Sequence, residues 1–293
     1  MPRHFVVPLP GDRRLQLGAR TLVMGIINVT PDSFSDGGAL LDPARAIEAG
    51  VRLAAEGADL LDIGGESTRP GALPLSAAEE MRRVLPVVQG IASRVSIPLS
   101  IDTYKATVAD AALSSGAAMV NDISGLRYDP ALAEVVARRG AALILMHTRG
   151  RSRDMYEQAT YHDVVDEVLD ELRESIGFAQ TAGINSNALL VDPGFGFGKT
   201  PEQNLTLLRE LGALRVLGRP ILLGTSRKST LGLVLDLPVE ERLEATLATT
   251  ALGIANGADV VRVHDVHANV RAARMTDAVV RGWRPASPLE RAQ

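Results

Sequence analysis

Polar side chains that could bind a small molecule follow short apolar runs along this 293-residue chain. Asp102, Asn121 and Asp192 follow three of these runs, and Lys228 follows a fourth. Carboxylates accept hydrogen bonds from N–H groups, an amide both donates and accepts, and an ammonium donates to a carbonyl. The set suits a flat heterocycle with a guanidine-like edge, such as a pterin. Taken singly, each Asp could instead cap a helix, and Asn121 could form a turn.

A second group of side chains suits a polyanion. Arg262 and His264 lie two residues apart on one apolar run, so they project to the same side of a strand. With Asn28 and Thr68 they could form a polyanion site, because arginine offers a planar fork and histidine a donor, both suited to phosphate. The alternatives are an ion pair of Arg262 with a neighbouring carboxylate and a buried core position for His264. If a cation is needed, Mg²⁺ is expected, because it binds phosphates with few protein ligands.

The segment Gly194–Lys199 is rich in glycine but lacks the G-x-x-x-x-G-K-[ST] pattern of a nucleotide-binding loop. Its Phe197 is expected to form a pocket wall, with local packing as the alternative. Ser226 has no catalytic histidine pattern beside it, so a serine nucleophile is not expected.

Eight near-continuous apolar runs, typical of parallel strands covered on both faces, must position these residues: 21–29, 58–65, 98–103, 117–124, 141–147, 187–194, 220–226 and 258–265. Amphipathic stretches of helical length lie between them, at 42–56, 107–115, 163–181 and 240–256. The pattern predicts an α/β fold, a (β/α)8 barrel. We prefer it to an open doubly wound sheet because no G-x-G-x-x-G follows the first strand. The C-terminal ends of barrel strands carry the active site, so the polar residues should meet there.

Two joints between helix and strand are nearly identical, Gly57-Ala58-Asp59-Leu60-Leu61-Asp62-Ile63 and Gly257-Ala258-Asp259-Val260-Val261-Arg262-Val263. Before the barrel, about residues 4–18 predict a hairpin with a Pro-Gly-Asp turn that caps the N-terminal end of the barrel. We expect one domain, with the barrel at about 20–284 and a flexible tail at 285–293.

Composition excludes several classes of protein. Lys plus Arg number 31 and Asp plus Glu 35, a net charge of −4, so no basic surface for nucleic acid or an anionic membrane is expected. Aromatic residues are 3 % of the chain, so stacking platforms for nucleic acid are not expected. Cysteine is absent, which excludes disulfides and thiolate metal sites. With no apolar run of signal-peptide or membrane-span type, we predict a cytoplasmic protein.

The sequence resembles dihydropteroate synthases over about residues 20–280. Seven motifs in order carry the resemblance: Met24–Gly38, Gly65–Ala72, Ser100–Thr103, Val120–Gly125, Asp192–Lys199, Ser226–Lys228 and Arg262–Asp265. The resemblance implies a transferase of folate biosynthesis that condenses 6-hydroxymethyl-7,8-dihydropterin diphosphate with p-aminobenzoate. It implies that diphosphate leaves first and that the arylamine captures the resulting pterin cation. It also implies a homodimer and a sulfonamide target, although sensitivity to these drugs remains a hypothesis.

The resemblance also assigns roles to residues. Asp102, Asn121, Asp192 and Lys228 would hold the pterin, Thr68, Arg262 and His264 the diphosphate, and Asn28 the Mg²⁺ ion. The p-aminobenzoate pocket and the loops that close over it would use Phe34, Asp36, Arg69, Pro70, Phe197, Ser226 and Lys228. Met146 is expected among the substrate-binding residues. The expected catalytic residues are Asp36, Asp102, Asp192, Lys228, Arg262 and His264.

Three residues depart from the family pattern: Thr148 and Arg149, where Met-Gln more often follows the histidine, and Thr230, where bulkier residues are common. Two alternatives stay open. A pterin-binding methyltransferase domain would share the barrel and the pterin-binding carboxylates, but would not need Ser226–Lys228 or Arg262–His264. A non-catalytic paralogue would bind pterin without turnover.

Overall fold

The computed structural model of the protein describes residues 4–30, 42–68, 71–151, 155–157 and 160–283. It opens with an antiparallel hairpin of strands β1 (Phe5–Pro8) and β2 (Arg14–Leu17). Gly11 and Asp12 form the turn, both with positive φ angles of 71° and 58°. Glycine adopts this left-handed conformation without strain and aspartate tolerates it, so the predicted hairpin is confirmed.

Eight parallel strands follow, and each of them lies within one predicted apolar run: β3 Leu22–Asn28, β4 Leu60–Gly64, β5 Leu99–Asp102, β6 Met119–Asp122, β7 Ala142–Met146, β8 Leu189–Asp192, β9 Leu222–Leu223 and β10 Val260–Val263. Their order in the sheet is β8-β7-β6-β5-β4-β3-β10-β9. A parallel bridge between Val191 and Ile221 joins the two outer strands. The sheet therefore closes on itself, and the predicted (β/α)8 barrel is confirmed.

The helices of the described chain are α1 Pro43–Ala55, α2 Ala77–Ala92, α3 Ala106–Ser114, α4 Ala131–Arg139, α5 Val164–Thr181, α6 Pro201–Arg209, α7 Ser229–Leu235, α8 Leu243–Ala255 and α9 Val266–Arg281. Helix α1 begins as predicted, because Asp42 accepts a hydrogen bond from the Ala44 N–H and Pro43 occupies the first turn. Helix α8 begins three residues later than predicted, after a short 3-10 turn at Val239–Glu241. Within the described residues, no helix has both the length and the apolarity needed to cross a membrane.

Two apolar layers stabilise the barrel. The larger lies between the strands and the surrounding helices. The smaller fills the N-terminal end of the barrel interior, where Val7, Leu9, Leu15 and Leu17 of the hairpin region pack with inward residues such as Met24. The hairpin therefore closes that end as predicted, and the opposite end carries the pocket.

The repeated Gly-Ala-Asp joints have one structural role. Asp59 accepts a hydrogen bond from the Val23 N–H at 2.9 Å, and Asp259 accepts one from the Ile221 N–H at 2.9 Å. Each carboxylate thus ties the start of its strand to the neighbouring strand. Three residues further along the two joints lie Asp62 and Arg262, whose side chains meet in the interior near the opposite end.

Candidate active site

An open pocket of about 450 Å³ lies at the C-terminal end of the barrel. Ten residues predicted from the sequence to bind substrates line it: Thr68, Asp102, Asn121, Met146, Asp192, Phe197, Ser226, Lys228, Arg262 and His264. They come from seven strands or the loops that follow them, and parallel pairing brings these ends to one rim. The structure thus places them together, while their individual binding roles remain predictions.

Arg262 forms the centre of a charged network in the wall of the pocket. Its Nε donates to Asp62 Oδ2 at 2.6 Å, and its Nη2 donates to Asp102 Oδ2 at 2.6 Å. Asn121 Nδ2 also donates to Asp62 Oδ2, at 2.8 Å. The ion pair considered as the alternative for Arg262 is therefore present. Because one guanidinium can also bind a phosphate with its remaining donors, the ion pair does not exclude an anion-binding role.

Asp62 was missed in the sequence analysis, which considered only residues at strand ends. It is fully buried, in the middle of β4. The signal that could have found it is the repeated joint, in which Asp62 occupies the position that Arg262 has in β10. A buried carboxylate requires a partner, and the corresponding strand supplies one.

Burial shifts the pKa of two ionisable groups that line the pocket, Asp102 and Lys228. It raises the pKa of Asp102 to about 7, although the nearby Arg262 opposes the change. It lowers the pKa of Lys228 to about 7, although the carboxylate of Asp192 opposes this change. The Lys228 ammonium lies 3.8 Å from the centre of the Phe197 ring, in a cation–π contact. Because both pKa values lie near 7, a small change in the surroundings decides the charge of Asp102 and of Lys228 at neutral pH.

Asp192 is positioned by the glycine-rich segment that follows β8. Its Oδ1 accepts a hydrogen bond from the Gly194 N–H at 2.7 Å, and burial raises the pKa of its carboxyl. Gly194 has a φ of +70°, and a Cβ there would lie 1.8 Å from the carbonyl oxygen of His147. Only glycine fits this close approach of two backbones.

Lys199, at the end of that segment, is a buried residue that the sequence analysis did not assign to the site. Its Nζ donates to the carbonyl oxygens of Phe197 at 2.9 Å and Gly194 at 3.1 Å, and contacts His147 Nδ1 at 2.9 Å. The ammonium therefore holds the loop closed from below and places the Phe197 ring against the pocket.

Ser226 and His264 form a second pair at the rim. Ser226 Oγ accepts a hydrogen bond from the His264 N–H at 3.2 Å and lies 3.0 Å from His264 Nδ1. Burial lowers the pKa of His264 to about 3, so the imidazole is neutral near pH 7. Since the serine oxygen already accepts the backbone hydrogen bond, its hydroxyl can donate to Nδ1. The neutral ring then carries its proton on Nε2, as a donor suited to an anion.

Other predicted residues are placed differently. Asn28 ends β3 at the same rim, beside Gly64 of β4, but does not line the pocket. Phe34, Asp36, Arg69 and Pro70 lie outside the described residues. Among the described residues, no group of three or more His, Cys, Asp or Glu side chains could hold a metal ion.

The loop that carries Thr68 is held by a charged cluster that the sequence analysis also missed. Lys105 Nζ donates to both Glu66 and Glu80, and Glu66 Oε2 also accepts a hydrogen bond from the Leu75 N–H at 2.9 Å. Glu80 is almost fully buried, at 1 % exposure, so this cluster fixes the base of the loop in the protein interior.

The three departures from the family pattern do not line the pocket. Arg149 pairs with Glu167 at 2.6 Å and Glu171 at 2.5 Å. It also lies over the ring of Tyr161, whose hydroxyl donates to the carbonyl oxygen of Gly198. Thr230 Oγ1 accepts from the Asn204 side chain at 3.1 Å, and Asn204 in turn accepts from the Gly196 N–H at 2.7 Å. Thr230 is therefore connected to the glycine-rich loop.

Comparison with known proteins agrees with this arrangement. Residues 24–264 match the pterin binding enzyme family. A dihydropteroate synthase of Clostridium beijerinckii is 48 % identical over 272 residues, 92 % of this chain and 98 % of that protein. The Xanthomonas albilineans dihydropteroate synthase solved with 4-aminobenzoic acid has a TM-score of 0.86 and 45 % identity, and covers 93 % of this chain and 98 % of its own. The Yersinia pestis enzyme solved with a sulfonamide drug has a TM-score of 0.88 and 40 % identity, with coverage of 94 % and 99 %. This chain belongs to the dihydropteroate synthase family of pterin-binding enzymes.

Proposed function

We propose that the chain joins 6-hydroxymethyl-7,8-dihydropterin diphosphate to p-aminobenzoate, which yields 7,8-dihydropteroate and diphosphate. The observation that carries the proposal is one pocket lined both by acceptors, Asp102, Asn121 and Asp192, and by cationic or neutral donors, Arg262 and His264. The first set matches a heterocycle rich in N–H donors. The second matches its anionic leaving group.

Asp102, Asn121, Asp192 and Lys228 bind the pterin in this proposal. The buried oxygen Oδ1 of Asn121 has no hydrogen-bond partner among the described residues. A buried acceptor without a partner costs about 1–3 kcal/mol, so a ring N–H or amino group that reaches it is strongly favoured. Lys228 donates to the pterin carbonyl or a ring nitrogen. Matched donors and acceptors of this kind discriminate against heterocycles that lack them.

Thr68, Arg262 and His264 bind the diphosphate. The guanidinium contributes charge, and the neutral His264 contributes an N–H donor with no proton to lose near pH 7. Asn28 offers a hard oxygen ligand at the same end of the barrel, which fits Mg²⁺ because this ion keeps several waters when it binds phosphates. Bound there, Mg²⁺ would neutralise part of the charge that develops on the leaving diphosphate.

Carbon–oxygen bond cleavage comes first, and the diphosphate departs with the electron pair. The buried carboxylates of Asp102 and Asp192 stabilise the pterin methylene cation that remains. The neutral arylamine nitrogen of p-aminobenzoate then attacks the methylene carbon to form the C–N bond. The acidic proton on the new nitrogen centre passes to the departed diphosphate or to solvent, so no strong base is needed. The binding position of p-aminobenzoate is lined by Phe197, Ser226 and Lys228, and Met146 lines the same pocket. The loops with Phe34, Asp36, Arg69 and Pro70 complete that position and exclude water, which would otherwise capture the cation.

We further propose a single-domain cytoplasmic enzyme that acts as a homodimer. Helices α8 and α9 carry exposed apolar side chains, among them Leu252, Met275 and Val279. Met275 and Val279 are four residues apart, so they share one face of α9. A second copy of the chain would cover this face. Sedimentation of the purified protein at micromolar concentration tests the dimer.

The test of the activity is diphosphate release by the purified chain with Mg²⁺ and the pterin diphosphate, with and without p-aminobenzoate. We expect release that depends on the arylamine. A methyltransferase domain or a non-catalytic paralogue would bind the pterin without such release. Asp192→Asn should abolish most of the activity. Asp259→Asn, which changes a buried carboxylate at the other end of the barrel, should leave it nearly unchanged.

A further inference from the structure

Asp62 is a buried charged residue that no step of the proposed reaction uses. Its side chain is fully inaccessible and does not line the pocket. It lies in the middle of β4, opposite Ile26 of β3 and Ser100 of β5. An ionised carboxylate at such a position is expensive unless partners compensate for its lost hydration. Both partners observed for it are side chains that the proposed function assigns to substrates.

One carboxylate oxygen serves the two partners. Asp62 Oδ2 accepts from Arg262 Nε at 2.6 Å and from Asn121 Nδ2 at 2.8 Å. Arg262 belongs to the proposed diphosphate site, and Asn121 to the proposed pterin site. A single oxygen atom thus connects the side chains proposed to bind the two halves of the substrate.

The contact with Asp62 decides the orientation of the Asn121 amide. Only the NH₂ group can donate to a carboxylate, because the amide oxygen would be repelled there. The amide oxygen Oδ1 is therefore fixed on the other side, buried and without a partner among the described residues. Asn121 belongs to the pocket wall, so this oxygen is a preset acceptor for a pterin N–H.

The contact with Asp62 also decides what Arg262 can do when substrate binds. In this structure Arg262 is held twice, through Nε by Asp62 and through Nη2 by Asp102. A pterin that donates to Asp102 competes with the second contact. Arg262 then keeps its bond to Asp62 and turns its Nη donors to the diphosphate without leaving its position.

We propose that Asp62 is a positioning residue that orients Asn121 towards the pterin and Arg262 towards the diphosphate. The inference rests on the proposed function for the roles of its two partners. It adds a buried residue outside the pocket that acts on both parts of the substrate at once. Asp62 touches no substrate and exchanges no proton.

The test variant is Asp62→Asn, which keeps the size of the side chain and removes its charge. We expect kcat/KM for the pterin diphosphate to fall about 100-fold, as for other small displacements of binding groups. The affinities for 6-hydroxymethylpterin and for inorganic diphosphate should each fall about 10-fold, measured by calorimetry. The KM for p-aminobenzoate should change less than about twofold, because neither partner of Asp62 belongs to the proposed p-aminobenzoate pocket.

Two controls separate positioning from general stability. Asp59→Asn removes a carboxylate just before the N-terminal end of the same strand. Asp59 accepts hydrogen bonds there from Arg20 and from the Val23 N–H. It should lower Tm but leave both affinities unchanged. In an Arg262→Lys background, Asp62→Asn should reduce diphosphate affinity less than about threefold further, because the coupled partner is already absent. Equal losses in Asp62→Asn and Asp59→Asn, or fully multiplicative losses in the double variant, would overturn the proposal.

The inference and the proposed function can fail separately. If the wild-type protein releases no diphosphate with p-aminobenzoate, the function fails, while the two binding affinities still judge Asp62. If Asp62→Asn does not fold, a crystal structure of the wild-type protein with 6-hydroxymethylpterin and diphosphate decides. Both contacts to Asp62 Oδ2 should persist there, and release of Arg262 from Asp62 would refute the proposal.

Discussion

Replacement of Lys199 by methionine should change how stability depends on pH. Lys199 is 1 % exposed, and burial lowers the pKa of its ammonium from 10.5 to about 7. Between these two values the unfolded chain binds a proton that the folded protein lacks, so the free energy of unfolding rises with pH. Methionine keeps the unbranched stem and cannot titrate.

The magnitude follows from this shift. Lys199 has a pKa of 10.5 in the unfolded state and about 7 in the folded state. A group with these two pKa values raises the free energy of unfolding by about 2 kcal/mol between pH 7 and pH 9. Below pH 7 both states are protonated and the contribution levels off. The difference in stability between wild type and Lys199→Met should therefore grow by this amount across the interval.

Urea unfolding followed by circular dichroism at pH 6, 7, 8 and 9 measures the difference. Lys105→Met is the matched control, because Lys105 is also largely buried but its contacts with Glu66 and Glu80 raise its pKa. That variant should show no growth of the difference between pH 7 and 9. If the Lys199→Met difference is also constant over this range, the pKa of Lys199 is not lowered and the reasoning is wrong.

Two further predictions concern the pocket. The kcat/KM for the pterin diphosphate should pass through a maximum near pH 7. The pKa of Asp102 is raised to about 7, so its carboxylate forms above that value, and the pKa of Lys228 is lowered to about 7, so its ammonium is lost above it. Asp102→Asn should remove the acid limb of the profile, and a flat profile from pH 5 to 9 would contradict both assignments. Gly194→Ala should destabilise the protein by more than about 3 kcal/mol and abolish pterin binding, since the new Cβ would collide with the His147 carbonyl. The control is Gly218→Ala, which has a similar φ of +64° and no atom within 4 Å of the new Cβ, and should cost only about 1–2 kcal/mol. Equal losses of stability in chemical denaturation would refute the steric argument.

The barrel could be predicted because its strands are buried on both faces. Such strands form near-continuous apolar runs, and the polar residue that ends each run marks the rim. The lengths were less predictable. The run at 220–226 contains only a two-residue strand, Leu222–Leu223. This length could not be predicted, because apolar composition does not show where ladder hydrogen bonds stop. The bridge from Ile221 to Val191, which closes the barrel, depends on strand register and leaves no mark in the sequence.

The pocket residues could be predicted where one side chain at a strand end sufficed. The residues that position them could not, because their roles depend on contacts between distant segments. Lys199 looked like part of a glycine-rich loop, yet its ammonium lies beneath that loop and binds its carbonyl oxygens. Lys105 followed a strand like other rim residues, and only its approach to Glu66 and Glu80 shows that it anchors a loop.

Arg262 forms ion pairs with two carboxylates and is also proposed to bind the diphosphate. A guanidinium facing an open pocket with no carboxylates nearby would bind diphosphate tightly and keep the product. Asp62 and Asp102 each accept one of its hydrogen bonds at 2.6 Å, which offsets part of its charge. In the proposed reaction, Asp102 also lies near the pterin cation when the carbon–oxygen bond breaks, while Asp62 stays behind Arg262 and touches no substrate. A carboxylate that weakens product binding therefore also favours the cation, and that shared benefit is a physical reason to pair an arginine proposed to bind the leaving group with a carboxylate of the same pocket.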